Sequence, residues 1–300
     1  MEGSLTQAFG DKHTIQKLDT VQRYLQAYVT ALKNQSFELL YVDACAGSGS
    51  SIPKWALEED DPAQSGLEGM ERRVADADDL IVGSAVRALG VDPPFSRYLL
   101  NDVKKANVDA LRNSVKHSFP HLADRVSLSR LDANEMLREL CTSQNWRATR
   151  AVVFIDPFGL QIDYSTLQML GQTEAIDLWY LVPVFAMYRQ VSGAGEIHPD
   201  GGLRVDAALG TDAWRNVAVV QEESSDLFGG SEFRSKRAVD VAWFERVAKE
   251  RIGAAFGGRV LEETLPLGRD GLQEFSLMFA WANPQPKPEL AAKLAKAVLK

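Results

Sequence analysis

The chain has 300 residues, 45% of them hydrophobic and 25% charged, with a formal net charge of −8. That length can bury a full core, as one large domain or two modest ones, and the charge argues against a broad nucleic-acid footprint while leaving room for a local basic groove. Two cysteines, Cys45 and Cys141, are too few for a disulfide framework or a four-thiolate zinc site.

From Thr14 to Lys33 the apolar residues Ile15, Leu18, Val21, Leu25, Tyr28, Val29 and Leu32 recur every three or four positions. This spacing predicts an amphipathic helix over 14–33 with Asn34 as its stop. The run "FELLYV" follows as a buried strand and ends in the turn "DACAGSG". Residues 51–80 are acidic and rich in breakers, and are expected to form a polar insertion or lid. Alternation then resumes. "SAVRAL" reads as a helix, "RYLL" as a strand, "KKANVDALRNSVKHS" as a helix and "RVSLSRL" as a strand. "ANEMLREL", "AVVFI", "YSTLQMLG" and "AIDLWYLV" continue as helix, strand, helix and strand. Apolar strands alternating with helices indicate a mostly parallel sheet covered on both faces.

Residues 190–240 carry glycines and mixed charges and form a less regular insertion. "GRVLEETLPL" (258–267) and "LQEFSLMFAWAN", joined by "GRDG", predict an antiparallel hairpin closing the sheet, before the helix "PELAAKLAKAVLK". No run approaches the ~20 apolar residues of a membrane span. The N-terminus lacks the basic-then-apolar build of a secretion signal, so no membrane association and a cytoplasmic location are expected. His117 and His121 have a helical metal-ligand spacing, but Pro120 between them breaks the helix, so two surface histidines are expected.

The turn after the first strand of such a sheet lies at its carboxyl edge, where open α/β folds bind ligands. Gly47 and Gly49 let a ligand approach the main chain. Two cofactors suit such a turn, a dinucleotide and S-adenosylmethionine. A dinucleotide fingerprint requires a third glycine where this chain has Ile52, and a helix N-terminus for the pyrophosphate. Asp43 would repel phosphates, yet it suits an ammonium beside a sulfonium. The segment Asp43, Ala44, Cys45, Gly47, Ser48 and Gly49 is therefore expected to line the cofactor. Asp102 closes "YLLND", placed for ribose hydroxyls; Asp132 follows "LSRL", placed for an adenine amino group, with Ala133 leaving room; Asp156 closes "FID". Each aspartate could equally cap a turn or a helix.

The order of elements resembles class I S-adenosylmethionine-dependent methyltransferases, Rossmann-like folds with a seven-stranded sheet and a C-terminal antiparallel hairpin. "KHTIQKLDTVQRYLQAY", "YVDACAGSG", "FIDPFG", "AIDLWYLVP", "LGTDAWR" and "FSLMFAWANP" resemble the three-Cys-motif partner proteins, a bacterial methyltransferase-like family. The resemblance covers most of the chain, with the acidic insertion as its weakest part. It implies one methyltransferase-like domain over 1–300, S-adenosylmethionine as cofactor, and a separate three-cysteine protein as partner. It does not identify an acceptor.

Methyl transfer needs alignment of a nucleophile and exclusion of water more than acid–base machinery. Asp156-Pro157-Phe158-Gly159 resembles the D-P-P-F/Y loop of enzymes that methylate exocyclic amines, with one proline missing. The resemblance implies that Asp156 and the Pro157 carbonyl hold the amine while Phe158 stacks on its ring. The competing reading packs Phe158 into the core. Neither cysteine follows a proline, which sets aside cytosine-C5 chemistry, and Cys45 is expected to be a small buried thiol. The expected activity is methyl transfer to an unknown acceptor, a nucleic-acid base narrowly preferred, with local basic spots at Lys104–Lys105, Arg147 with Arg150, and "FRSKR" (233–237). A cofactor-binding partner module without transfer activity and an NAD-linked oxidoreductase are the alternatives.

Overall fold

The central strand β1 (Glu38–Asp43) has almost every side chain buried, as a strand must when helices cover both sheet faces. In the computed structural model, which describes residues 3–51, 81–225, 231–269, 271–285 and 289–299, β1 pairs in parallel with β2 (Arg97–Asn101) and β4 (Thr149–Ile155). Outside them lie β3 (Val126–Ser129) and β5 (Ile176–Val182), also parallel. The last strands, β6 (Leu265–Arg269) and β7 (Leu272–Trp281), form a hairpin, and β7 runs antiparallel to β5. The sheet order is β6-β7-β5-β4-β1-β2-β3, the expected Rossmann-like, class I methyltransferase architecture.

Alternate β1 side chains enter two cores. Leu40 and Val42 pack with helices α4 (Ala133–Ser143), α5 (Tyr164–Gln172) and α9 (Val241–Ala255). Leu39 and Tyr41 pack with α1 (Gly3–Leu32), α2 (Ser84–Leu89), α3 (Lys105–Ser118) and α10 (Glu289–Val298). The first helix thus begins well before Thr14, and its stripe Val21, Tyr24, Leu25, Tyr28 and Val29 is buried.

Three expectations are corrected. The expected strand 258–267 is shorter: Gly257 and Gly258 have φ of +63° and +84°, Val260 makes a single bridge to Ala280, and regular pairing starts at Leu265. The stretch 190–240 is more regular than its composition suggests. It holds α7 (Pro199–Leu209) and α8 (Trp214–Ala218), preceded by α6 (Val184–Tyr188), and a ribbon pairing Val219–Ser225 with Ser231–Arg237. Pro120 ends α3 as expected, but it opens a 3-10 helix, Pro120–Arg125, that takes the first residue of the expected strand, and β3 also stops at Ser129 rather than Leu131. The expected insertion lies mostly outside the described residues. Among them no helix is long and apolar enough to cross a membrane.

Beneath α1, the Tyr24 hydroxyl donates to Asp177 Oδ2 at 2.7 Å in a buried contact. Burial raises the Asp177 carboxyl from 3.8 to about 7. A carboxyl raised on folding contributes stability below its unfolded value, which is lost as pH climbs through the folded one. Wild-type stability is therefore expected to fall between pH 4 and 7, and Asp177→Asn to flatten that slope. Urea titrations across the range check it; an unchanged slope in the variant would place the charge outside the fold's balance.

Candidate cofactor and acceptor site

At the carboxyl end of β1 the chain turns with Gly47 at φ +62° and Gly49 at φ +85°, values L side chains avoid. A Cβ at Gly49 would come within 2.9 Å of Val86 and 3.1 Å of Leu111, whereas one at Gly47 would meet nothing within 4 Å. Gly49 is fixed by packing; Gly47 leaves open space above the main chain. The turn runs into Ser50–Ser51, paired antiparallel with Ile81–Val82, and the Gly83 amide donates to the Gly49 carbonyl at 2.8 Å. Among the described residues no helix starts at this turn, so the pyrophosphate of a dinucleotide would lack its usual N-terminus there.

Asn101 organises the edge. Its amide group donates to the carbonyls of Ala44 (3.0 Å) and Leu131 (3.1 Å). Its oxygen accepts from the Ser129 hydroxyl (2.7 Å) and the Leu131 amide (3.0 Å). All four hydrogen-bonding positions of the buried carboxamide are used, tying the ends of three strands together. Asn101→Ala should cost about 3 kcal/mol, because it strands buried partners rather than merely deleting a bond. Denaturant unfolding measures this, and a loss below about 0.5 kcal/mol, typical of surface positions, would remove Asn101 from this role.

The four expected aspartates converge. Asp43, Asp156, Asp102 and Asp132 all act on the Cys45 thiol, and with burial as the largest cause they push it far above the usual range. Cys45 is therefore a neutral thiol, partly buried, as anticipated. Asp102 accepts from the Gly47 amide (Oδ2, 3.1 Å) and the Lys104 amide (Oδ1, 2.8 Å), so it props up the glycine turn itself. Asp132 caps α4, accepting from Asn134 and Glu135 through Oδ1. The capping alternative thus holds for Asp132 in this structure, and Ala133 is the first residue of that helix.

Asp43 differs from these. It is completely buried and accepts from the Tyr41 hydroxyl (3.1 Å) and the Cys45 amide (3.3 Å), as well as from Ser84. Among the described residues no cation pairs with it. Burial, opposed by these hydrogen bonds and reinforced by Asp156, raises its carboxyl from 3.8 to about 7. A buried carboxylate without a countercharge beside open space is suited to a cationic ligand.

After β4 the chain passes Asp156 and Pro157 to Phe158, which is 77% exposed. This overturns the core-packing alternative. Its amide donates to Gln161 Oε1 at 3.1 Å, Gly159 has φ +82°, and the Lys104 ammonium lies 5.4 Å from the ring centre. Of the expected basic spots, Lys104 alone is recorded against this loop. Arg150 instead lies over Phe37, and Arg237 over Tyr188. Beside the loop, a cavity of about 520 Å³ is lined by Asp132, Leu160, Gln161, Asp163, Leu203 and Arg204.

Sequence reasoning missed three contributors, Asn101, Ser84 and Lys17. Lys17 reaches from α1 to Asp156, Nζ to Oδ2 at 2.5 Å. Its signal was present. At four, seven and eleven positions before Val21, Tyr24 and Tyr28, it continues their buried stripe, where an unpaired charge is not tolerated.

No family model matches the chain, and no curated protein does. Among solved structures it is similar to protein LPL1258 from Legionella pneumophila str. Philadelphia 1, of family-model DUF519, at 13% identity over 82% of this chain and 93% of that one, TM-score 0.39. It is also similar to the glycopeptide N-methyltransferase MtfA complexed with S-adenosyl-L-methionine, at 10% identity over 86% and 93%, TM-score 0.33. A COG1565 superfamily protein from Burkholderia thailandensis matches at 9% over 92% and 82%, TM-score 0.34. Such distant likenesses carry no argument about chemistry.

Proposed function

We propose that the chain binds S-adenosylmethionine on the Asp43 turn and transfers its methyl group to a planar acceptor beside Phe158, a nucleic-acid base preferred. One observation carries the cofactor reading: Asp43 is a fully buried carboxylate with no described countercharge, at the foot of an open glycine turn. The ligand's ammonium supplies the missing charge. The other carboxylates at the edge also favour a net cation over the anionic dinucleotide of an oxidoreductase.

The cofactor, once bound, supplies an activated methyl on a sulfonium leaving group. The chain's own residues do the rest. Asp43 holds the cation, Asp102 and Asn101 hold the backbone that faces it, and Asp156 presents a carboxylate oxygen to an acceptor N–H. Phe158 offers an exposed ring for a planar group, with Lys104 beside it as a charge for a nearby phosphate. The cavity next to the loop gives the acceptor room to enter. A three-cysteine partner protein would supply the specificity that the net charge of −8 withholds from free nucleic acid.

Equilibrium dialysis against labelled S-adenosylmethionine and NAD tests the reading. Retention of the first and not the second is expected; retention of NAD alone would overturn it. Binding without transfer to DNA, RNA or lysate components would instead favour the partner-module alternative.

A further inference from the structure

The Lys17–Asp156 ion pair joins residues 139 positions apart, with side-chain exposures of only 14% and 27%. It is not the solvated surface pair whose contribution is negligible. The helix that carries Lys17 is anchored at the opposite edge of the sheet by Tyr24 on Asp177, the second residue of β5. Toward its start the same helix extends 14 residues beyond Lys17 to Gly3, roughly 20 Å at the rise of an α-helix. Lys17 therefore sits where α1 crosses the carboxyl edge, and its partner is the aspartate of the acceptor loop.

We propose that Lys17 is a positioning residue for methyl transfer, holding Asp156 by one oxygen so that the other meets the acceptor, and that its charge selects an acceptor that is neutral when bound. The proposal rests on the functional reading above. Oδ2 of Asp156 is taken by Lys17, and among the described residues no donor is recorded on Oδ1. Asp156 acts on Asp43 and, with Asp43, Asp102 and Asp132, surrounds the Cys45 thiol; Lys104 lies beside Phe158, and His13 sits one turn before Lys17 on α1, on the same side of the helix. Asp102 and Asp132, each bonded to two backbone amides, stay charged and keep the edge anionic toward the cofactor, but at the acceptor loop Lys17 offsets the charge of Asp156, the carboxylate that would touch the incoming group. An alkylammonium arriving there would meet the Lys17 ammonium and find Asp156 already paired. A weakly basic N–H on a ring, such as the exocyclic amine of a base, would meet only an acceptor oxygen and the Phe158 face.

The pair also acts on Asp43, because Asp156 is among the groups that raise its carboxyl. Removing Lys17 leaves Asp156 uncompensated and makes the Asp43 carboxyl harder to ionise. The test uses the full chain as wild type, Lys17→Met and Lys17→Arg. S-Adenosylmethionine binding is followed calorimetrically from pH 5.5 to 8. Labelled methyl transfer is then measured to mixed-sequence single-stranded DNA, to total RNA and to a lysine-rich peptide.

The expected result is a pH midpoint of binding displaced upward in Lys17→Met and restored in Lys17→Arg, with native circular dichroism in both. Label is expected on nucleic acid rather than peptide, reduced ~100-fold in Lys17→Met. A superimposable pH profile in folded Lys17→Met overturns the positioning role, whether or not label is transferred. Label on the peptide, or on no probe, overturns the acceptor selection. If the wild type does not bind S-adenosylmethionine, the functional reading has failed first, and that outcome is separate from the others. Should Lys17→Met not fold, Asp156→Asn, which removes the negative member of the pair and leaves Lys17 unpaired, should displace the midpoint downward; an unmoved midpoint there also overturns the role.

Discussion

Asp43→Asn should abolish most S-adenosylmethionine affinity while leaving the fold intact or slightly more stable at pH 8. The amide preserves the shape of a side chain that is fully buried but removes the charge. A charge-assisted hydrogen bond to the ligand is worth ~1.5–3 kcal/mol, so the loss is roughly ten- to a hundredfold in affinity. Stability moves the other way because burial makes the ionised carboxylate costly in the free protein, which is why its carboxyl is raised to about 7. The same fact sets the pH dependence. Below that value the cation must displace a proton, so wild-type affinity should fall ~tenfold per pH unit on acidification, while Asp43→Asn should lack this dependence. Calorimetry at pH 6, 7 and 7.5 decides; equal affinity and equal pH response in the two proteins would remove Asp43 from the site.

What the sequence made legible follows from where each segment sits. The central strands are buried on both faces, so "LLYV" within β1 and "LWYLV" within β5 stand out as unbroken apolar runs. The ribbon "VVQEESS" with "SEFRSKR" has no comparable run; cross-strand pairing defines it, and polar composition hid it. The hairpin's first strand begins later than its apolar residues suggest because glycine conformation, rather than hydrophobicity, decides where it starts. At the site, chain order alone predicted that four strand ends would bring aspartates together, and they do meet around Cys45. It could not divide their labour. An aspartate that caps a helix, as Asp132 does, and one that is fully buried with no described countercharge, as Asp43 is, are the same residue type in the same place. Only burial and hydrogen-bond partners separate them. Lys17 was harder still, since its partner lies 139 residues away, although a lysine in phase with a tyrosine stripe already requires one.

At pH 8, above the Asp43 titration, Asp156→Asn and Phe158→Ala should leave cofactor affinity within about threefold and reduce transfer by ~10²-fold or more, the scale of losing a positioning contact. The two act through different physics. On the proposed reading the Asp156 carboxylate meets the acceptor N–H, and an amide in its place keeps an oxygen but loses the ion pair with Lys17. Phe158 acts through its face. At 77% exposure it contributes little to folding, and Phe158→Ala should change stability by no more than about 0.5 kcal/mol, the range of ordinary surface substitutions, rather than the ~3–5 kcal/mol of a core phenylalanine. The stacking contact it offers a base is worth ~1–3 kcal/mol, so Phe158→Trp should retain transfer where Phe158→Ala does not. This rescue distinguishes an acceptor platform from a loop that merely needs bulk: Phe158→Leu restores volume without a π-face and should remain impaired. Single-turnover transfer, measured beside unfolding curves for all four variants, gives the answer. Full activity in both Asp156→Asn and Phe158→Ala would move the acceptor site away from this loop, even if the cofactor stayed on the Asp43 turn.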